Sequence, residues 1–90
     1  MGIALIKMKI MPESPEVDLE AVKNKVTESI REDVDSDITY EEEPIAFGLK
    51  AIIANFSLDE SKQIDPIQEK LTSIENVKSA EVADFRRAFG

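Results

Sequence analysis

Ninety residues carrying 19 acids against 11 bases, a net charge of −8, specify one domain, 1–90, and leave no room for a second. Such a surface repels a phosphate backbone and an anionic membrane, so neither nucleic acid nor membrane is an expected partner; the acidity either keeps the chain soluble or attracts a basic patch. With no cysteine and no histidine, disulfides, thiolate nucleophiles, Cys/His zinc sites and Ser-His-Asp triads are excluded, and a cytoplasmic protein is expected.

The N-terminal apolar stretch meets Lys7 and Lys9 and is too short for a signal peptide or a membrane-spanning helix. Myristoylation at Gly2 would want Ser or Thr where Ile6 stands. From Gly2 to Met11 the apolar residues Ala4, Ile6, Met8 and Ile10 share one face and the two lysines point the other way, which predicts a strand with one wet face. Pro12-Glu13-Ser14-Pro15 ends it.

Asp18 is placed to cap a helix whose apolar stripe is Leu19, Val22, Val26 and Ile30, ending near Glu32. Asp33-Val34-Asp35-Ser36-Asp37 reads as an acidic loop. Its alternating carboxylates either stay solvated or recruit a divalent cation, but the glycine and distal glutamate of a calcium loop are missing. Ile38 to Ile45 predicts a second strand. Its run Glu41-Glu42-Glu43 has poor strand propensity and suits a sheet edge, where charge discourages unwanted pairing.

Pro44 to Gly48 is a turn into the clearest strand, Leu49 to Leu58, with Ile52, Ala54, Phe56 and Leu58 inward and Asn55 and Ser57 outward. Asp65-Pro66-Ile67-Gln68 predicts an aspartate cap, a proline at the first helical position and a capping-box glutamine. Ile64, Ile67, Leu71 and Ile74 are the buried stripe of that helix, and Asn76 is its stop. Val77 to Phe85 is the last strand, followed by a tail Arg86-Arg87-Ala88-Phe89-Gly90 expected to be mobile.

The order β-α-β-β-α-β implies a ferredoxin-like α+β sandwich: a four-stranded antiparallel sheet with both helices on one face and the first and third strands central. Many functions share that fold, so function must be read from sites. No phosphate loop, dinucleotide fingerprint or metal motif is present, and no cofactor is expected. Two local features stand out. Phe47, between Ala46 and Gly48 in a turn, either plugs the end of the core or meets a partner. Arg86-Arg87 is either a solvated tail or a cation set aside for use.

Both features carry a resemblance. Pro44-Ile45-Ala46-Phe47-Gly48-Leu49-Lys50-Ala51-Ile52 is similar to the proline-apolar-Gly-aromatic-Gly-Ile-Lys-Lys-Leu segment of elongation factor 1-beta exchange domains. Val77 to Arg87 resembles that family's C-terminal Val-x-Ser-x-acid-aliphatic-Ala-Ala segment, which ends in a basic residue. The separation of the two segments also fits, and the likeness spans essentially the whole chain, as in the short archaeal form.

The resemblance implies a guanine-nucleotide exchange factor, not an enzyme, that acts on the GDP form of elongation factor 1-alpha. It implies that Phe47 packs against the partner near its nucleotide site. It implies that Arg87 reaches toward the Mg²⁺ and phosphate-loop region, with Ala46, Gly48, Lys50, Phe85 and Arg86 as further partner contacts. Three departures qualify the match: Ala46 stands for a glycine, arginine for lysine, and Ala88-Phe89-Gly90 follow Arg87, so either Arg86 or Arg87 can be the inserted cation. The alternatives are an RNA-binding module, which needs aromatics on an open, basic sheet face, or a small-ligand regulatory module on the same fold. An acylphosphatase-like enzyme would need an arginine in the first loop, and Pro12 to Pro15 offers none.

Overall fold

The computed structural model describes residues 2–87, and its elements run β1 (Ile3–Pro12), α1 (Leu19–Ile30), β2 (Thr39–Pro44), β3 (Lys50–Asp59), α2 (Asp65–Thr72) and β4 (Val77–Arg87). The strands form one antiparallel sheet in the order β2-β3-β1-β4, with β1 and β3 central as the crossover rule predicts. Ala4, Ile6, Met8 and Ile10 oppose Leu58, Phe56, Ala54 and Ile52 pair for pair, and every one of them is buried. Val22, Val26 and Ile30 of α1 and Ile67 and Leu71 of α2 close that layer, so the two-layer ferredoxin-like sandwich has its core on the helix side.

Asp18 caps α1 as expected: its carboxylate accepts from the backbone N–H groups of Glu20 and Ala21, at 3.1 and 3.4 Å. At α2 the expected cap is not there. The helix begins at Asp65 itself, after Ile64 in helical geometry, with no side-chain cap. Gln68 does not fold back to close a capping box. Its Nε2 donates to the Ala80 carbonyl at 2.8 Å and pins α2 to β4, a tertiary bond that wins over the local one.

β2 is the exposed edge strand the acidic run predicts, and α1 holds it there. The Tyr40 hydroxyl donates to the Lys23 carbonyl at 3.1 Å and lies 2.6 Å from the Thr27 hydroxyl. Lys23 Nζ lies 2.9 Å from Glu42 and from Glu20. Hydrogen bonds and charge from Glu42, then Glu20, raise the Lys23 pKa, and Lys23 lowers that of Glu42.

Beyond β2 the acidic loop takes over the edge of β3. Asp35 N–H donates to the Ser57 carbonyl at 2.9 Å, Ser36 Oγ accepts from Ser57 N–H at 2.8 Å, and the Asp35 carboxylate accepts from Asp59 N–H at 2.7 Å. Lys62 and Lys70 pair with Asp35 and Asp33. The loop is a structural clamp, and no acidic cluster suited to a metal ion occurs among the described residues.

β4 reaches two residues further than the sequence predicts, because β1 is long enough to pair with it as far as Arg87. Two register shifts, at Lys7/Met8 and Met11/Pro12, each give β4 an extra residue. They put Val77, Ala80, Val82, Phe85 and Arg87 on the helix side and leave Ser79, Glu81, Asp84 and Arg86 on the open face. A strict alternation from Ala80 would have done the reverse for the last four residues.

Candidate functional site

The first group of candidate residues sits on the β2–β3 turn. Leu49 N–H donates to the Ala46 carbonyl and Ile45 N–H to the Leu49 carbonyl, both at 2.8 Å. Between those bonds Phe47 and Gly48 take φ of 54° and 81°, the pair of positive values that defines a type I′ hairpin turn. Glycine suits the second position. Phenylalanine at the first costs about 1–2 kcal/mol of backbone strain. The Phe47 ring is 98% exposed, which answers the plug reading: it covers no core. Ala46 is not among the residues with positive φ, so the missing glycine there leaves the turn intact. Lys50 pairs with Pro44 at the base of the turn and, with Gly48, lines a cleft beside Pro15 and Leu19.

The second group lies at the other end of the sheet. Phe85 opposes Ile6 and is half exposed on the helix side. With Ala4, Leu58 and Ile64 it lines a cleft of about 390 Å³, and Arg87 stands on the same cleft. Arg87 is not a mobile tail residue. Its backbone pairs with Ala4, and its Nε lies 2.6 Å from Glu60 Oε1. Arg86 opposes Leu5 on the open face, with its Nε 3.0 Å from Asp84 Oδ2. Neighbours in a strand point to opposite sides, so the two arginines cannot serve one contact together. Ala88, Phe89 and Gly90, including the reading of Phe89 as an anchor, lie outside the described residues.

The structure therefore corrects one expectation. Phe47 and Arg87 do not converge on one spot. The turn begins β3 at Lys50, whereas Arg87 pairs with Ala4, which in turn opposes Leu58 at the far end of β3. Nearly ten residues of strand, roughly 30 Å, separate the two ends. A single nucleotide pocket cannot receive both.

Sequence reasoning missed Glu60. It is brought to Arg87 by the pairing of three strand ends, and nothing local in the chain announces that. The open face of the sheet carries Lys7, Lys9, Asn55 and Ser57 as expected, together with Glu41, Glu43, Glu81 and Asp84. Ala51 and Ile53 are buried there without joining the helix-side core. No aromatic stands on that face among the described residues, because Tyr40, Phe56 and Phe85 all face the helices. That removes the stacking platform an RNA-binding module requires. No helix among the described residues is long and apolar enough to cross a membrane.

Comparison with known proteins agrees with this layout. The family described as the EF-1 guanine nucleotide exchange domain matches residues 5–88. Elongation factor 1-beta of Methanosphaerula palustris is 44% identical over 86 residues, covering 94% of this chain and 96% of its own. That of Methanosphaera stadtmanae is 43% identical over 81 residues, 89% and 90% of the two chains. That of Methanothermobacter thermautotrophicus is 41% identical over 88 residues, 97% and 98%. A match running from the first strand past the last, over relatives of the same length, means that this chain belongs to the EF-1 guanine nucleotide exchange domain family.

Proposed function

We propose that this chain accelerates release of GDP from the translational GTPase elongation factor 1-alpha in the cytoplasm, acting by contact and not as an enzyme. The observation that carries the reading is Phe47. A large apolar side chain held wholly in solvent, on a backbone that costs energy, has no use in the free protein and suits an anchor for a partner. Membership of the exchange-domain family supports the nature of that partner.

Arg87 supplies the chemistry. GDP is held largely by Mg²⁺ and by the donors of the phosphate loop. At about 5 Å and an effective dielectric constant of about 20, one positive charge opposes a divalent cation by roughly 6–7 kcal/mol. A cation brought to the metal site thus makes Mg²⁺ leave, and the diphosphate loses its main counter-charge. With the cation at one end of the sheet and Phe47 at the other, the partner is gripped along the whole length of β3. Phe47 therefore docks well away from the nucleotide. Phe85, Ala46, Gly48 and Lys50 flank the two contacts. Arg86, on the opposite face, is the weaker candidate for the inserted cation.

The test is a fluorescent-GDP release assay with the cognate elongation factor 1-alpha. Saturating protein accelerates release, and raising free Mg²⁺ slows the accelerated rate. No acceleration at saturation overturns the reading.

A further inference from the structure

We infer that Glu60 is a latch on Arg87: it holds the guanidinium against the molecule in the free protein and releases it as the cation enters the partner's metal site. The inference rests on the role of Arg87 proposed above and adds a residue that neither the sequence nor the family comparison points to.

Glu60 is placed by backbone, not by chance. Its N–H donates to the Gly2 carbonyl at 3.0 Å, which ties the end of β3 to the start of β1. Its carboxylate folds back over Gly2, so close that any Cβ at position 2 would overlap it. Only glycine at position 2 leaves room for that rotamer. Arg87 is delivered to the same spot by its pairing with Ala4. The loop carrying Glu60 is itself fastened, since Asp59 N–H and Lys62 both bond to the Asp35 carboxylate. Asp59 and Asp65 line the same cleft, with Lys62 as an opposing cation beside Arg87, so the wall against which Arg87 rests is acidic on balance.

The consequence follows from electrostatics. An arginine with its counter-ion 2.6 Å away acts at a distance as a dipole, and its repulsion of a divalent metal falls off much faster than that of a bare charge. The pair must open for the cation to displace Mg²⁺. Opening is easy, because the Arg87 side chain is 77% exposed and that of Glu60 28%. An ion pair of this exposure changes an equilibrium by about two- to fivefold. The latch therefore tunes how readily the exchange-competent complex forms and leaves its chemistry alone.

The test titrates each variant against elongation factor 1-alpha loaded with fluorescent GDP. Glu60→Gln is expected to lower the half-saturating concentration by about two- to fivefold with the maximal rate unchanged. Gly2→Ala, which displaces the carboxylate without removing its charge, is expected to shift it in the same direction. Arg87→Ala tests the underlying reading separately, and wild-type release by that variant overturns the role of Arg87. If Arg87→Ala slows release but Glu60→Gln leaves the half-saturating concentration unchanged or raises it, the latch is wrong. It is equally wrong if Glu60→Gln still helps in the Arg87→Ala background, since the gain would then come from the reduced net negative charge.

Discussion

Phe47 and Arg87 stand at opposite ends of one sheet, with the length of β3 between them. Contacts so far apart share no neighbours, and their effects on a common partner add. Phe47→Ala is expected to weaken the complex by about 2 kcal/mol or more, as a hot-spot aromatic does. Combining it with Arg87→Ala should give the sum of the two single losses in kcat/KM for GDP release, within about 0.5 kcal/mol. A strong coupling between them would return both residues to one site and contradict the geometry.

The backbone under Phe47 makes a second, opposite prediction for stability. Glycine adopts a φ of 54° without the side-chain penalty, so Phe47→Gly relieves strain of about 1–2 kcal/mol. Part of that is lost to the greater freedom of glycine in the unfolded chain. The melting temperature should hold or rise while exchange falls. A drop of several degrees would mean that the ring is supported by packing in solution after all.

The edge strand that carries this turn depends on Tyr40. Its hydroxyl bridges the Lys23 carbonyl and the Thr27 hydroxyl, partly shielded from water, and desolvation raises the pKa of the phenol. Tyr40→Phe removes both of these bonds, although the Lys23 carbonyl keeps its place in the helix ladder, and should cost about 1–2 kcal/mol in denaturant unfolding. Hydrogen exchange should then quicken in β2 before it does in β1 or β3. Uniform quickening across the sheet would show that Tyr40 supports the whole domain and not the edge.

How much of this was legible in the chain depends on the range of the forces involved. Alternation in β1 and β3, the stripe Leu19-Val22-Val26-Ile30 and the Asp18 cap are local patterns, and each appears in the structure where the sequence places it, with Leu19 only partly buried at the head of the stripe. Phe56 is in the core as expected, and Phe56→Ala should cost about 3–5 kcal/mol. The α2 start was misread because Gln68 has a better partner on β4 than in its own helix. The end of β4 was misread because its last two residues are held by pairing with Leu5 and Ala4 of β1, a long-range contact that the local pattern of β4 does not show. Glu60 was missed because its meaning lies in three strand ends that meet only after folding. Of the candidate site, the Phe47 turn was readable from Ala46-Phe47-Gly48, whereas the setting of Arg87 was not.

The clamp that fastens the loop near Glu60 should make this end of the protein sensitive to acid. The carboxyl of Asp35 is held below the ordinary aspartate range first by the Asp59 N–H it accepts and then by Lys62. That of Asp59 is lowered by the hydroxyl and then the N–H of Ser61. In both, the folded value lies below the unfolded one, so the unfolded chain takes up protons first as the pH falls. Their contribution to stability is therefore complete above the ordinary aspartate value of about 4 and is lost as the pH drops through the lowered folded values. Asp35→Asn keeps the shape of the side chain but gives up the charge-assisted bonds to Asp59 and Lys62. Its melting temperature should lie below that of the wild type at pH 7, and the gap should close toward pH 3. Closure of the gap is the outcome that identifies the charged clamp. A gap of constant size from pH 7 to pH 3 would mean that Asp35 acts through packing or through the neutral hydrogen bond alone. The same variant also reports on the latch, since loosening the loop that carries Glu60 should shift the half-saturating concentration in the direction expected for Glu60→Gln.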